Sequence, residues 1–313
     1  MKFWVGVTDN TWFNFQQANN PDEVNFWQPS ATPPFKNAPL GMPFLFKLKK
    51  PNNHIAGGGF FVTYSTLPVS VAWDVFGEKN GANSLVSLLN LLTPLHQANK
   101  TNDLIGCTIL ASPFFFPESQ WIETPSSFAS NIVRGKMYDT ENNDGSNLWA
   151  NIQETLNEKV LFSKSVSETV LSKIKESDVP KYGNPYLTKP RIGQGSFRLL
   201  VTDAYKRRCA ITGESTLPVL EAAHIVPYSK NGTHDVSNGL LLRADFHKLF
   251  DAGLVTVMPD LTVKISSKIK ESYFNGKAYY RLQDCKLAAI PEAPDLRPNP
   301  DYLDWHNRNC FIQ

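Results

Sequence analysis

Cysteine is scarce in this chain of 313 residues: Cys107, Cys209, Cys285 and Cys310 are its four, far apart, and none opens a Cys-x-x-Cys pair. That spacing argues against a zinc ribbon, and few, scattered thiols fit a reducing compartment. A membrane-spanning run of about eighteen apolar residues is absent. The opening Met1 to Thr8 reaches Asp9 without the apolar centre of a signal peptide. A soluble, cytoplasmic protein with no membrane association is therefore expected. A large charge excess is missing too; at a net charge of +2, composition alone does not announce a nucleic-acid partner. No internal repeat occurs. What the chain does have is length for two domains, each able to bury a core.

The most informative stretch runs from Leu220 to Gly253. Apolar residues around Val219, Leu220, Ile225 and Val226 break at Pro227, a polar loop extends to Asn238, and a second apolar run covers Leu240 to Leu242. This reads as a hairpin with a long loop. From Arg243 to Asp251 the spacing becomes helical, with Phe246, Leu249 and Phe250 on one face and Gly253 as a stop. Three polar side chains punctuate the unit: His224, Asn238 fourteen residues later, and His247 nine residues after that.

An imidazole, an amide and a helix-borne imidazole in this order resemble the HNH nucleases. The flanking words, Arg208-Cys-Ala-Ile-Thr-Gly213, Glu221-Ala-Ala-His-Ile-Val-Pro227 and Asn238-Gly-Leu-Leu-Leu-Arg243, resemble the branch of that family associated with modification-dependent restriction. The resemblance implies a ββα-metal fold that hydrolyses phosphodiesters. His224 would take the proton of the attacking water. Asn238 would tie the loop, and His247 would help hold a divalent cation, Mg²⁺ or Mn²⁺ or another transition metal. Many such sites place Asp or His just before the general base as a second ligand, and here that position is Ala223. Asp251, four residues after His247 on one helical face, is a candidate replacement; Glu221 and water are others. His234, in the loop, reads as solvated or phosphate-facing.

In the amino-terminal half, Lys2 to Thr8 reads as a strand rich in Phe, Trp and Val. Glu23 to Trp27 and Met42 to Leu48 follow, the latter closed by a turn at Pro51 to Asn53. Ile55 to Val62 carries three glycines, which in a strand imply a bulge or a close backbone approach. The stripe Leu85, Leu88, Leu89, Leu92 predicts a helix capped by Asn83. Cys107 to Leu110 reads as a buried strand and Leu148 to Leu156 as a second helix.

This opening, with Val24-Asn-Phe-Trp-Gln-Pro-Ser30, Pro43-Phe-Leu-Phe-Lys47 and Gly57-Gly-Gly-Phe-Phe61, resembles the EVE domains of the PUA-like superfamily, with the YTH readers as cousins. The resemblance covers about residues 1 to 160 and implies an aromatic cage for one modified base. Trp27 matches a cage tryptophan, Gln28 sits where a polar residue faces the base edge, and Asp9 stands where an amide or acid does the same. Trp12 and Trp73 could supply another wall. Trp4 and Trp149 read as core. A flipped base needs π-faces to replace its lost stacking, worth about 1 to 3 kcal/mol, and polar groups for its Watson–Crick edge.

Between Lys164 and Arg208 stand ten Lys or Arg against four Asp or Glu, a segment placed to meet phosphates or to serve as a solvated linker. A helix is expected over Ser165 to Glu176. Prolines and glycine from Pro180 to Pro190 then put the boundary there. The expected organisation is α+β: a PUA-like (EVE) mixed barrel or sheet with helices over 1–163, a basic, proline-rich linker over 164–190, and a ββα-metal nuclease domain over 191–313. A helix over Leu199 to Tyr205 should pack on the ββα unit, strands at Leu254 to Met258 and Leu261 to Ile265 should extend its sheet, and a proline-rich end should run over the surface into Tyr302 to His306. His306 reads as structural.

Together the resemblances imply a bacterial, modification-dependent endonuclease acting on double-stranded DNA that carries 5-methylcytosine or 5-hydroxymethylcytosine. Because one such centre cuts one strand, a homodimer is a reasonable expectation. Two other readings stay open: a reader of modified nucleic acid whose nuclease unit is degenerate, and a nuclease indifferent to modification.

Overall fold

The computed structural model describes residues 1–35, 38–93, 103–168, 193–273 and 276–313, with the backbone alone for 157–168. The chain divides into two compact units, Met1–Arg191 and Ile192–Gln313.

The first unit runs β1 (Lys2–Thr8), α1 (Asn10–Asn19), β2 (Glu23–Gln28), β3 (Pro43–Leu48), β4 (His54–Pro68), α2 (Val69–Phe76), α3 (Leu85–Leu92), β5 (Leu104–Phe115), β6 (Ile122–Glu123), β7 (Gly135–Asp139) and α4 (Asn143–Glu168). Its mixed sheet has the order β2-β5-β4-β3-β1-β7, with β6 paired to β4. Only β1 and β3 run parallel, Thr8 opposite Leu48; the other pairs are antiparallel. Among the described residues no pairing joins β2 to β7, so hydrogen bonding leaves the sheet open rather than closed into a barrel.

Both faces of this sheet are buried, and the period-2 alternation of strands decides which residue serves which core. Phe3, Val5 and Leu45 join Tyr138, Leu148, Trp149 and Ile152 on one side. Trp4, Phe44, Phe46 and Leu48 join Trp12, Phe13 and Val24 on the other. Trp4 and Trp149 are thus core, as their sequence context implies. The glycine run of β4 sits at a register shift between Gly58 and Phe60, and a side chain on Gly57 would collide with the Phe114 carbonyl. The sequence reading of a bulge with a close backbone approach matches both facts.

Some helices depart from expectation. α1 has no place in the sequence reading because its Asn-rich segment has poor intrinsic helix propensity. Two features outside propensity stabilise it: Asp9 caps it through the Thr11 and Trp12 amides, and Trp12, Phe13 and Gln16 are buried. α2, rich in Val, was likewise unforeseen. The cap of α3 is Ser84, not Asn83. Ser84 has the extended backbone a cap requires, and its hydroxyl accepts the Ser87 amide, while Asn83 accepts the Ser87 hydroxyl. α4 is longer than the expected Leu148 to Leu156. The expected helix past Glu168 and most of the 164–190 linker lie outside the described residues.

The second unit runs α5 (Gln194–Ala204), β8 (Leu220–His224), β9 (Gly239–Arg243), α6 (Ala244–Asp251), β10 (Val255–Val257), β11 (Val263–Ile265), α7 (Lys268–Tyr273), α8 (Lys277–Tyr280) and α9 (Pro300–Asn309). β8 and β9 form an antiparallel pair with Leu220 opposite Arg243 and His224 opposite Gly239. α6 follows directly and buries Phe246 and Phe250. One core holds the unit together: Phe197 and Val201 from α5, Leu240, Leu241 and Leu242 from β9, and Val255, Val257 and Val263 beyond. Gly253, at φ 69°, ends α6 with its amide on the Phe250 carbonyl.

One expectation for this unit is corrected. β10 and β11 do not extend the β8–β9 sheet; they pair with each other, Val255 opposite Ile265, as a separate two-stranded sheet. The helix and the Gly253 turn intervene, so the chain enters β10 packed against α6 and not alongside β9. The surface run from Pro291 ends in a helix, α9, with Asn299 as cap and Pro300 at its first position, a start signal present in the sequence. His306 on α9 is buried, donates Nε2–H to the Phe250 carbonyl at 3.2 Å, meets the Thr256 hydroxyl through Nδ1 at 2.8 Å, and stacks on Phe250.

Candidate functional sites

The ββα segment gathers polar groups at the end of its hairpin. Asn238 is fully buried; its side-chain oxygen accepts the Val226 amide at 2.9 Å, and its amide donates to the Val226 carbonyl at 3.0 Å and the Thr233 carbonyl at 2.9 Å. One residue therefore spans both ends of the loop between the strands. His224 closes β8 with its ring flat on Phe197, centroids 3.8 Å apart at 12°. Burial, with His234 and His247 as lesser like-charge neighbours, lowers its imidazole to about 4. The ring is thus neutral near pH 7 and able to accept a proton.

His234, read from sequence as solvated or phosphate-facing, is half-buried and meets another ring. Its Nδ1 lies 3.0 Å from Nε2 of His224, and its ring stacks on Tyr228 at 4.8 Å and 9°. The residue stands in the loop that Asn238 folds back, a placement set by tertiary structure and carrying no local signal.

His247, on α6, sits between two carboxylates: Nδ1 is 2.6 Å from Glu221 Oε2 and Nε2 is 3.4 Å from Asp251 Oδ2. Partial burial raises the Asp251 carboxyl, His247 opposes this and the Glu221 charge adds to it. Ala223 belongs to the core and offers no donor atom. Among the described residues no group of three or more His, Cys, Asp or Glu side chains is arranged to hold a metal ion. The donor set here fits an ion bound by one imidazole nitrogen and one carboxylate, keeping most of its water, as Mg²⁺ and Mn²⁺ do. The other carboxylate would then orient the ring through its second nitrogen, and a cation would relieve the repulsion between Glu221 and Asp251.

In the first unit a cavity of about 400 Å³ opens beside the end of β1 and β2, within the size range of small-ligand sites. Asp9, Trp12, Trp27 and Gln28 all line it, with Phe26, Lys49 and Arg134 among their neighbours. Trp73, on α2, does not; Phe26 takes the place foreseen for it. Trp12 is held edge-on by Phe26 and Phe46, centroids 5.4 Å away in each case. Gly81, at φ 80°, lets the indole lie against the backbone, where any side chain would collide with it. The Trp12 indole N–H is buried with no hydrogen-bond partner among the described residues. Trp27 donates its indole N–H to the Asn80 carbonyl at 2.7 Å, which fixes the ring plane.

The two polar pocket residues are partly engaged already. Asp9 accepts the Thr11 and Trp12 amides with one oxygen and pairs with Lys49 through the other at 3.0 Å. Burial pushes its carboxyl up, but Lys49 and the two amides outweigh this and hold it below the usual range. Gln28 donates to the Ser30 and Thr32 carbonyls. Lys49 was absent from the sequence reading because its place depends on the parallel register that sets Thr8 beside Leu48.

Residues 209–258 match the family model for HNH endonucleases. The second unit carries an HNH endonuclease domain. No curated protein matches the chain. Among solved structures, a mutant of the ZmASCH protein from Zymomonas mobilis is similar over 47% of this chain and 96% of its own, at 10% identity and a TM-score of 0.32. The modification-dependent TagI restriction endonuclease is similar over 93% of this chain and 76% of its own, at 12% identity and a TM-score of 0.28. No helix among the described residues is long and apolar enough to cross a membrane.

Proposed function

We propose that this chain is a modification-dependent DNA endonuclease: an EVE-like first domain holds a flipped modified cytosine, 5-methylcytosine or 5-hydroxymethylcytosine, and the HNH domain hydrolyses a phosphodiester bond of the same DNA. The observation that carries the reading is the cavity in which Trp12 and Trp27 meet Asp9 and Gln28. An aromatic wall replaces the stacking a base loses on leaving the duplex, and Gln28 and Lys49, held by Ser30, Thr32 and Asp9, give the cavity a polar rim.

In the HNH domain His224 accepts the proton of the attacking water, and Asn238 keeps the loop that carries the neighbouring groups in register. His247, with Asp251 or Glu221, would hold Mg²⁺ or Mn²⁺. An ion held there would supply neutralisation of the charge that develops on the phosphate and on the departing 3′ oxygen. A homodimer would bring two centres to the two strands.

A second reading has a specific observation behind it: Ala223 lies in the core where many relatives carry a ligand, which favours a reader with a degenerate nuclease unit. Digestion of methylated, hydroxymethylated and unmodified copies of one plasmid, with Mg²⁺ or Mn²⁺, decides among these. Cutting confined to modified copies is expected. Equal cutting of all copies removes the reader role, and cutting of none with either metal favours the degenerate unit.

A further inference from the structure

The HNH domain contains an imidazole that the His–Asn–His pattern does not account for. His234 meets His224 through an Nδ1 to Nε2 hydrogen bond of 3.0 Å, the two rings crossing at 60°. Each ring is clamped from a different element: His224 lies on Phe197 of α5, and His234 lies on Tyr228, whose own side is largely solvent-exposed. The backbone beside His234 is fixed as well, because Asn238 holds the Thr233 carbonyl at 2.9 Å and the Thr233 hydroxyl donates to Asp235 at 2.8 Å. Among the described residues Nδ1 of His224 has no hydrogen-bond partner, so its one protein hydrogen bond is the one to His234.

A neutral imidazole carries one N–H, and the hydrogen bond between the two rings holds one proton. If that proton belongs to Nε2 of His224, then Nδ1 of His224 bears the lone pair and can act as a base. If it belongs to Nδ1 of His234, the N–H of His224 sits on its own Nδ1 and the ring cannot accept a proton there. The position of one hydrogen therefore switches the base on or off, and a partner that only accepts from Nε2 keeps it on.

We propose that His234 is the positioning residue of hydrolysis: it accepts Nε2–H of His224 at its own Nδ1 and so fixes the tautomer in which Nδ1 of His224 takes the water proton. The proposal rests on the nuclease reading. In the step it serves, the water oxygen forms a bond to phosphorus while its O–H bond breaks and the proton passes to His224 Nδ1. The P–O3′ bond breaks with its electron pair left on O3′, which takes a proton from solvent, and His224 returns its extra proton to solvent.

Two variants separate the acceptor from the packing. His234→Phe keeps a flat ring on Tyr228 and removes the acceptor; His234→Asn offers an oxygen near the place of Nδ1 and loses the stack. The Phe variant should lower kcat for plasmid cutting roughly 100-fold with KM little changed, as loss of a correctly protonated base does. The Asn variant should recover most of that loss. Nitrogen-15 ring spectra should show His224 of the wild type protonated on Nε2 and a tautomer mixture in His234→Phe; the wild-type spectrum needs no variant to fold. Cutting by His234→Phe at the wild-type kcat, an Asn variant as slow as the Phe variant, or a wild-type His224 protonated on Nδ1 overturns the proposal alone. Absence of cutting by the wild type with either metal overturns the nuclease reading and the proposal with it.

Discussion

In the cavity of the first unit the polar groups already answer one another: Asp9 is engaged by Lys49 and two helix amides, and Trp27 and Gln28 donate to nearby carbonyls. At the nuclease centre the groups are instead set against each other, ring nitrogen to ring nitrogen at His224 and His234, and one imidazole between two carboxylates at His247. A wall whose hydrogen bonds are spent on itself selects chiefly by shape and stacking. A cluster in which imidazoles meet one another and carboxylates is suited to proton transfer. Under the proposed function the contrast gives selectivity to one unit and proton transfer to the other, and it can be broken at several points.

The largest effect belongs to the base. His224→Ala should reduce cutting by about 10² to 10⁴-fold, read from initial rates on modified plasmid. Next comes the loop tie. Asn238→Ala strands a buried amide and two carbonyls, so the HNH domain should lose about 3 kcal/mol of stability in urea unfolding, and cutting should fall with it; an unchanged midpoint would show that the three hydrogen bonds are dispensable. Trp27→Ala removes one stacking face, about 1 to 3 kcal/mol or roughly 5- to 150-fold in the preference for modified DNA, measured as a ratio of rates on paired plasmids.

The smallest effect concerns acid. Burial holds both His224 and His306 at about 4 against an ordinary value of 6.5. The folded chain thus binds fewer protons than the unfolded one between those values. The stability contribution is fully present above about pH 6.5 and is lost as pH falls toward 4. Urea midpoints of the HNH domain should decline across that interval; a flat profile would contradict the burial of the two rings.

The ββα element was legible because its signals are local: an apolar run, a break at Pro227, a second run, then helical spacing to Gly253. The cavity residues Asp9, Trp12, Trp27 and Gln28 were legible through family words, and they converge on one cavity. What escaped depends on tertiary register. Lys49 joins Asp9 through a parallel pairing, and His234 meets His224 through a loop folded back by Asn238. Trp73 looked like a wall by residue type alone, and α2 carries it elsewhere. α1 was hidden by weak propensity and appears because Asp9 caps it and the sheet buries one of its faces. β10 and β11 were read as strands, but no local pattern says which sheet a strand joins.

The most direct test of the division of labour measures binding and cutting together, by fluorescence anisotropy and plasmid nicking, for His224→Ala and Trp27→Ala on modified and unmodified DNA. The account predicts that His224→Ala binds modified DNA as the wild type does and cuts it about 10² to 10⁴-fold more slowly, while Trp27→Ala cuts with metal but with a reduced preference for the modified copy. The reverse pattern, with preference lost in His224→Ala and cutting lost in Trp27→Ala, would contradict it.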